Sequence, residues 1–322
     1  MDAPHARFRA LVQAGALDPV GEPELVTSHS NDAWYVRSAS AGDVVLRVCW
    51  IGDRERLLRE AAVGSALPPD VGYPEVIASG ALTVDGEAIT WMAGRRLSGT
   101  TLMKAWPELA EQQRERALRD VAAPLRALHR WRPPAQVVQR LGAPVPSEDA
   151  QTIIGSTIVP LPLDRVRHLV APAADRAPEH RAVVVEGWRW IVDHADLLPR
   201  LDDPADVVTH GDLHLDNIWW NGERVTGLLD LEWVRWGPAW LDLVPVRDNA
   251  LAGDEFSEPH QRLLDTLRAH APELAAPDLE RRLTVVELAF QLRQILVWPP
   301  PGPDPAIDHP VRLVRRLLDL NR

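Results

Sequence analysis

Carboxylate and amide side chains lie close together in segment 207–233, VVTHGDLHLDNIWWNGERVTGLLDLEW. Asp212 and Asn217 have the spacing D-x-x-x-x-N, and Asp230 follows after an apolar run. Phosphoryl transfer needs a group that accepts the proton of the attacking hydroxyl, together with metal ions that bridge the phosphate oxygens. Asp212 could accept the proton, while Asn217 and Asp230 offer the hard oxygen ligands that Mg²⁺ prefers. The alternative for the HGD tripeptide is a polar turn in which the aspartates cap backbone N–H groups.

A β-hairpin is predicted to bring these side chains together. Ile218 to Trp220 forms the first strand, Asn221-Gly222 the turn, and Val225 to Leu229 the returning strand. An Asn-Gly pair between two apolar runs is the strongest short-range signal for a hairpin. Because the returning strand ends at Asp230, that carboxylate is expected beside Asn217. The hairpin and the second carboxylate favour a catalytic loop over a polar turn.

The motif HGDLHLDNI followed by GLLDLEW resembles the aminoglycoside phosphotransferase and choline kinase-like family, whose fold is similar to that of protein kinases. The resemblance implies that Asp212 is the catalytic base and that Asn217 and Asp230 bind Mg²⁺. It implies an α+β fold with two lobes. Residues 1–94 would form a small antiparallel-sheet N-lobe that covers the nucleotide, and 95–322 a large helical C-lobe with the catalytic loop and metal site.

The sequence before the loop agrees with such a small lobe. In DVVLRVCWI, alternation places Val45 and Arg47 on one strand face. By the resemblance, VVLR takes the position of V-A-I-K in protein kinases, so that Val45 would cover the adenine and Arg47 would reach the phosphates. Glu60 in the next helix would pair with Arg47 in a bidentate contact. Solvent-facing positions are the alternative for both charged side chains. Helices are predicted at 5–14 and 54–67, and strands at 25–26, 33–37, 43–51, 75–78 and 87–92.

Two further parts of the nucleotide site are predicted from the order of the motifs. The loop 27–32 contains no glycine, unlike the G-x-G-x-x-G loop of protein kinases. Ser30 and Asn31 could donate to phosphates there, or the loop could be an ordinary polar hairpin tip. Residues 91–94 resemble the hinge between the lobes, where the backbone of Trp91 and Ala93 would bind the adenine edge.

The rest of the sequence predicts a helical C-terminal lobe. A helix over 107–131 should be kinked at Pro124, which lacks a backbone donor. Residues 133–175 are rich in proline and are expected to be irregular, either as substrate contacts or as a surface insertion. By the resemblance, Asp242 in GPAWLDL would bond the backbone of the catalytic loop. Glu232 could support metal or substrate, or lie at the surface. Further helices are predicted at 178–198 and 278–298, with others starting near 257 and 308.

Composition excludes several classes of protein. The net charge is 35 − 46 = −11, which argues against a general binder of nucleic acids or anionic membranes and is mildly favourable for a cationic substrate. Cys49 is the only cysteine, so there is neither an intramolecular disulfide nor a zinc cluster of cysteines. No apolar run is long enough to span a membrane. A soluble, cytoplasmic protein is therefore expected.

The function implied by the resemblance is transfer of the γ-phosphate of ATP or GTP, with Mg²⁺, to a hydroxyl of a small molecule. An aminoglycoside-like or other antibiotic is the leading acceptor, so the enzyme would be a resistance kinase. A metabolite kinase acting on choline, homoserine, methylthioribose or a sugar is the alternative. A pseudokinase that binds nucleotide without turnover is a third reading, suggested by Arg47 in place of lysine and by the glycine-free loop.

Overall fold

A computed structural model describes residues 3–26, 31–141, 161–199, 203 and 205–322. It shows the two-lobe, protein-kinase-like α+β fold that the sequence predicted, with an antiparallel sheet in the N-terminal lobe and a helical C-terminal lobe. The N-terminal elements are α1 (Ala3–Gln13), β1 (Glu24–Val26), β2 (Asp32–Ser38), β3 (Gly42–Cys49), α2 (Arg56–Gly64), β4 (Val76–Val84) and β5 (Glu87–Arg95).

The small lobe is a five-stranded sheet in the order β1-β2-β3-β5-β4, with antiparallel neighbours. Strand alternation gives this sheet two different faces. On one face Trp34, Leu46 and Trp91 pack with Phe8 and Leu11 of α1. The opposite face turns towards the C-terminal lobe and carries a different set of side chains, among them Tyr35, Val45, Arg47 and Met92. The sheet therefore uses one face for its core and the other for the cleft between the lobes.

The C-terminal lobe surrounds a large apolar core. Its helices are α3 (Leu102–Ala105), α4 (Glu111–Asp120), α5 (Ala122–Arg130), α6 (Ala135–Val138), α7 (Leu163–Arg176), α8 (Arg181–Asp193), α9 (Leu243–Leu251), α10 (Ser257–His270), α11 (Leu279–Val297) and α12 (Pro310–Asp319). Its strands are β6 (Thr100–Thr101), β7 (Val207–Thr209), β8 (Ile218–Trp220), β9 (Val225–Leu228) and β10 (Arg235–Gly237), in two small sheets, β10-β7 and β6-β8-β9. No helix of the described residues has the length and apolar character needed to cross a membrane.

Two predictions about this lobe differ in detail from the structure. The helix expected over 107–131 begins at Glu111 and is interrupted at Val121, three residues before Pro124. A proline ring conflicts with the carbonyl four residues earlier, so its effect falls one turn towards the N-terminus. The irregular segment expected over 133–175 contains the helix α7, which includes Pro172. The part of that segment at 142–160 lies outside the described residues.

Candidate active site

One buried carboxylate, that of Asp242, holds the backbone of the catalytic loop in place. Asp242 accepts hydrogen bonds from the backbone N–H groups of His210 (3.1 Å) and Gly211 (3.0 Å), and it lies 2.8 Å from Nε2 of His129. This confirms the expected contact between Asp242 and the loop backbone. Gly211 has a φ of +82°, and a Cβ there would lie 2.2 Å from the carbonyl oxygen of Trp233. The loop can therefore take this path only with glycine at that position.

His210 connects the loop to the returning strand of the hairpin. Its Nε2 lies 2.9 Å from the carbonyl oxygen of Leu229, and its Nδ1 accepts from the backbone N–H of Asp212 at 3.3 Å. An acceptor at one nitrogen and a donor at the other is the pattern of a neutral imidazole. Burial lowers the pKa of His210, which agrees with the neutral form. His210 thus packs beneath the loop.

Asp212, the predicted base, is partly exposed and lies beside His214. Its side chain is 37% exposed, and Oδ2 lies 3.7 Å from Nε2 of His214. Burial by itself raises the pKa of the Asp212 carboxyl, but interactions with His214, His210 and Arg235 outweigh burial, so that the pKa lies below its usual value. At neutral pH the group is therefore a carboxylate, which is the form that can accept a hydroxyl proton.

The hairpin brings the two predicted metal ligands together. Strands β8 and β9 pair as expected, although the turn is a four-residue loop over 221–224 in which the Asn221 side chain accepts from two backbone N–H groups at 3.0 Å. The backbone N–H of Leu229 donates to the carbonyl of Asn217 at 2.8 Å, which holds the residue before Asp230 against the loop. Asp230 has a φ of +59°, an uncommon backbone conformation for a residue with a side chain.

These two side chains fit a magnesium ion. Nδ2 of Asn217 lies 2.8 Å from the carbonyl of Asp212 and 3.0 Å from the His214 ring, and no described residue donates to its Oδ1. The Asp230 side chain is 33% exposed towards the cleft. A carboxylate oxygen and an amide oxygen, completed by phosphate oxygens and water, form a donor set that suits Mg²⁺.

Arg47 lies at the inner end of the cleft among three carboxylates. Its guanidinium is 2.7 Å from Glu60, 2.8 Å from Asp230 and 3.0 Å from Glu232. The predicted pair with Glu60 is therefore present, through Nη1 alone rather than as a bidentate contact, while Nη2 contacts the other two acids. Glu232 is buried, and burial together with the nearby Asp230 raises its pKa to about 7. The alternative of a surface position for Glu232 is wrong.

The two predicted phosphate donors of the loop 27–32 are Ser30 and Asn31. Ser30 lies outside the described residues. Asn31 is buried, and its amide donates to Glu232 at 3.1 Å and accepts from Arg56 at 3.0 Å. Because both ends of the amide are engaged in this buried cluster, the expectation that Asn31 binds phosphate is corrected. Arg56, which also contacts Glu232 at 3.1 Å, gave no signal in the sequence beyond its place on an amphipathic helix.

The predicted hinge is displaced along the chain. Trp91 and Ala93 lie inside β5, which is paired with β3 on one side and β4 on the other. Their side chains belong to the core on the opposite face of the sheet. A strand paired on both sides has its backbone groups in the sheet, so neither residue is free to bind an adenine edge, and this assignment is corrected. The chain leaves the sheet only after Arg95, and residues 95–99 line the cleft.

A cavity of about 370 Å³ lies between the sheet and the hairpin that follows the catalytic loop. Val45, Tyr73 and Met92 form part of its apolar wall, and Arg47 and Asp230 lie at its polar end. Val45 therefore lines the cleft, and its role in covering a base stays a prediction. The motifs in the sequence do not indicate Tyr73, because it follows α2 in a stretch with no recognisable pattern.

The chain is similar to known phosphotransferases. The family model described as "Phosphotransferase enzyme family" matches residues 24–285. Among solved structures, a thermostable mutant of aminoglycoside phosphotransferase APH(4)-Ia in a ternary complex with ADP and hygromycin B is 16% identical, with a TM-score of 0.60 over 97% of this chain and 98% of that chain.

Two further solved structures have the same fold. The streptomycin-ATP-APH(2")-IIa ternary complex is 15% identical, with a TM-score of 0.57 over 99% of this chain and 96% of that one. ADP-bound APH(2'')-Ib is 15% identical, with a TM-score of 0.54 over 92% of this chain and 90% of that chain. No curated protein matches the sequence itself.

Proposed function

The chain belongs to the phosphotransferase enzyme family, and we propose that it transfers the γ-phosphate of ATP or GTP to a hydroxyl of an aminoglycoside-like or other antibiotic. Membership makes it a small-molecule kinase with an alcohol group as acceptor. The observation that carries the proposal is Asp212, a partly exposed carboxylate on a loop that is fixed by Asp242 and joined by the hairpin to a cleft lined by Arg47 and Asp230.

The proposed reaction assigns one task to each residue. The acceptor oxygen attacks the γ-phosphorus, its proton passes to Asp212, and the bond from the γ-phosphorus to the bridging oxygen breaks, which releases the nucleoside diphosphate. Arg47 neutralises charge on the phosphates. Asn217 and Asp230 would hold Mg²⁺, which when bound stabilises negative charge on the phosphate oxygens. Val45 and the 95–99 backbone would hold the base.

Two observations support a cationic acceptor, namely the negative charge of this chain and the ligands bound in the similar solved structures. Asp216 is exposed on the same loop as Asp212, and the chain as a whole carries a net charge of −11. Two of the similar structures contain hygromycin B or streptomycin. An amine-bearing acceptor would be attracted to such a loop, although choline and other metabolites with a cationic group would be attracted as well.

Release of nucleoside diphosphate, with and without Mg²⁺, tests the proposal against a panel of acceptors. The panel contains hygromycin B, streptomycin, gentamicin, choline, homoserine, methylthioribose and simple sugars, each with ATP and with GTP. Asp212→Asn is the control for contaminating kinases. Turnover confined to choline, homoserine or a sugar would replace the antibiotic with a metabolite. Nucleotide binding without turnover on any acceptor would favour the pseudokinase.

A further inference from the structure

Tyr73 has contacts that a residue merely lining the cleft would not need. Its hydroxyl donates to Oε1 of Glu60 at 2.7 Å. Its ring lies directly on α2, since a Cβ added at Gly64 would be 2.4 Å from Cε1 of Tyr73. The ring is therefore seated against the backbone of the helix that carries Glu60. This packing fixes the direction from which the Tyr73 hydroxyl approaches the Glu60 carboxylate.

Glu60 in turn joins three parts of the active site. Oε1 accepts from the backbone N–H of Leu231 at 2.9 Å as well as from Tyr73, and Oε2 accepts from Arg47 at 2.7 Å. The carboxylate is fully buried, where an ionised group is stable only with several partners. Leu231 directly follows Asp230, the predicted metal ligand. The orientation of Glu60 thus affects both the guanidinium and the backbone beside that ligand.

We propose that Tyr73 is a positioning residue for phosphoryl transfer, whose hydroxyl holds Glu60 so that Arg47 and the backbone at Leu231 keep the geometry needed to bind nucleotide phosphates. This inference rests on the proposed function. When phosphates enter the cleft, Nη2 of Arg47 exchanges its contacts with Asp230 and Glu232 for phosphate oxygens. Glu60 then remains the protein partner of Nη1, and Tyr73 keeps that partner in place.

The chain contains a matched comparison for Tyr73. It has two tyrosines, and the second, Tyr35, lines the same cavity from β2. No described residue is hydrogen-bonded to the Tyr35 hydroxyl, whereas Arg96 lies over the Tyr35 ring at 3.8 Å. Tyr73→Phe and Tyr35→Phe therefore each remove one hydroxyl from the same cleft and keep the ring. They differ in whether the hydroxyl contacts Glu60.

The experiment measures nucleotide affinity by calorimetry, in the presence of Mg²⁺, and kcat and KM for nucleotide in both variants. A hydrogen bond to a charged group predicts a loss of about 10-fold in affinity and in kcat/KM for Tyr73→Phe. The loss in Tyr35→Phe should be several times smaller. A double variant with Glu60→Gln should lose less than the sum of the two single changes, because Tyr73 acts through Glu60.

Equal losses in Tyr73→Phe and Tyr35→Phe, or additive losses with Glu60→Gln, would overturn the assignment. Unfolding curves for each variant show whether Tyr73→Phe acts through the global fold instead, and a loss of affinity that simply follows a large loss of stability would also overturn it. The binding measurement needs no acceptor. If no acceptor is phosphorylated but Tyr73→Phe still weakens nucleotide binding in a Glu60-dependent way, the proposed function fails and the positioning role remains.

Discussion

Replacing Arg47 with alanine removes a cation that contacts Glu60, Asp230 and Glu232 at 2.7, 2.8 and 3.0 Å. The side chains of Arg47, Glu60 and Glu232 are 16%, 0% and 3% exposed, so the charges that remain are poorly solvated. The three acids can each offer one oxygen within 4.8 Å of the others. Arg47→Ala therefore leaves a buried group of like charges without their shared counter-ion.

Removal of one partner from a buried ion pair destabilises a protein by about 3–5 kcal/mol. The lower end applies here, because Glu232 keeps Arg56 at 3.1 Å and Glu60 keeps Tyr73 and the Leu231 N–H. We expect Arg47→Ala to lower the free energy of unfolding by roughly 3 kcal/mol. Arg47→Met is the matched control for lost packing, since it retains an apolar stem and also lacks the charge.

The same geometry predicts that magnesium will compensate for the missing guanidinium. Carboxylate oxygens at this spacing are suitable ligands for a divalent cation. Urea unfolding in MgCl₂ and in NaCl of equal ionic strength should show a gain in the free energy of unfolding of Arg47→Ala that exceeds the wild-type gain by about 2.7 kcal/mol, the amount given by a cation near 100 times its Kd. Equal gains in both proteins, or a stability loss below about 1 kcal/mol, would refute the reasoning.

Nucleotide binding provides a second measurement on the same variants. Arg47→Ala should weaken nucleotide binding or turnover by about 10–100-fold, because most of the Coulomb attraction to a phosphate is offset by desolvation. Arg47→Lys should recover part of this loss, since it restores the charge without the fork. A nucleotide-bound structure with Arg47 directed to solvent would contradict the phosphate role.

Three other changes test the remaining groups. Asp212→Asn should lower turnover by about 10²–10⁴-fold with nucleotide affinity retained in calorimetry, and a rate within about three-fold of wild type would remove Asp212 as the base. Asp230→Ala should abolish the Mg²⁺ dependence of nucleotide affinity; an unchanged ratio of affinities with and without Mg²⁺ would mean that the ligand lies elsewhere. Burial raises the pKa of Asp248 to about 7, above the value near 4 in the unfolded chain, so the native state binds the extra proton and stability falls as the pH rises through that window. Urea unfolding gives the difference in unfolding free energy between Asp248→Asn and wild type. This difference should favour the variant by on the order of 3–4 kcal/mol more at pH 8 than at pH 4. A difference independent of pH would contradict this.

The catalytic loop and hairpin could be predicted because their determinants are local. Asp212 and Asn217 lie in one short loop, and Asn221-Gly222 opens the turn that returns the chain to Asp230. Hydrogen bonds between neighbouring residues, such as Leu229 to Asn217, then complete the arrangement. Spacing and turn chemistry carry this information in the sequence itself.

The hinge and the role of Asn31 could not be predicted in the same way. Strand β5 continues to Arg95 because Ala93 and Gly94 pair with β3 and β4, so tertiary pairing decides where the strand ends. Asn31 hydrogen-bonds to Glu232, which is 201 residues away in the chain. Such a contact depends on how the lobes pack and leaves no periodicity or motif near either residue.

The arginine at position 47, where protein kinases have lysine, is explained by Glu232. A lysine ammonium is a compact charge, whereas a guanidinium offers donors in a planar fork. Arg47 uses Nη1 for Glu60 in the N-terminal lobe and Nη2 for Asp230 and Glu232 in the C-terminal lobe. The forked donor therefore lets one side chain contact acids of both lobes at once, and Glu232 is also paired with Arg56. Arg47 consequently gives no support to the pseudokinase reading, since its substitution for lysine has a structural reason that keeps a cation at the phosphate end of the cleft.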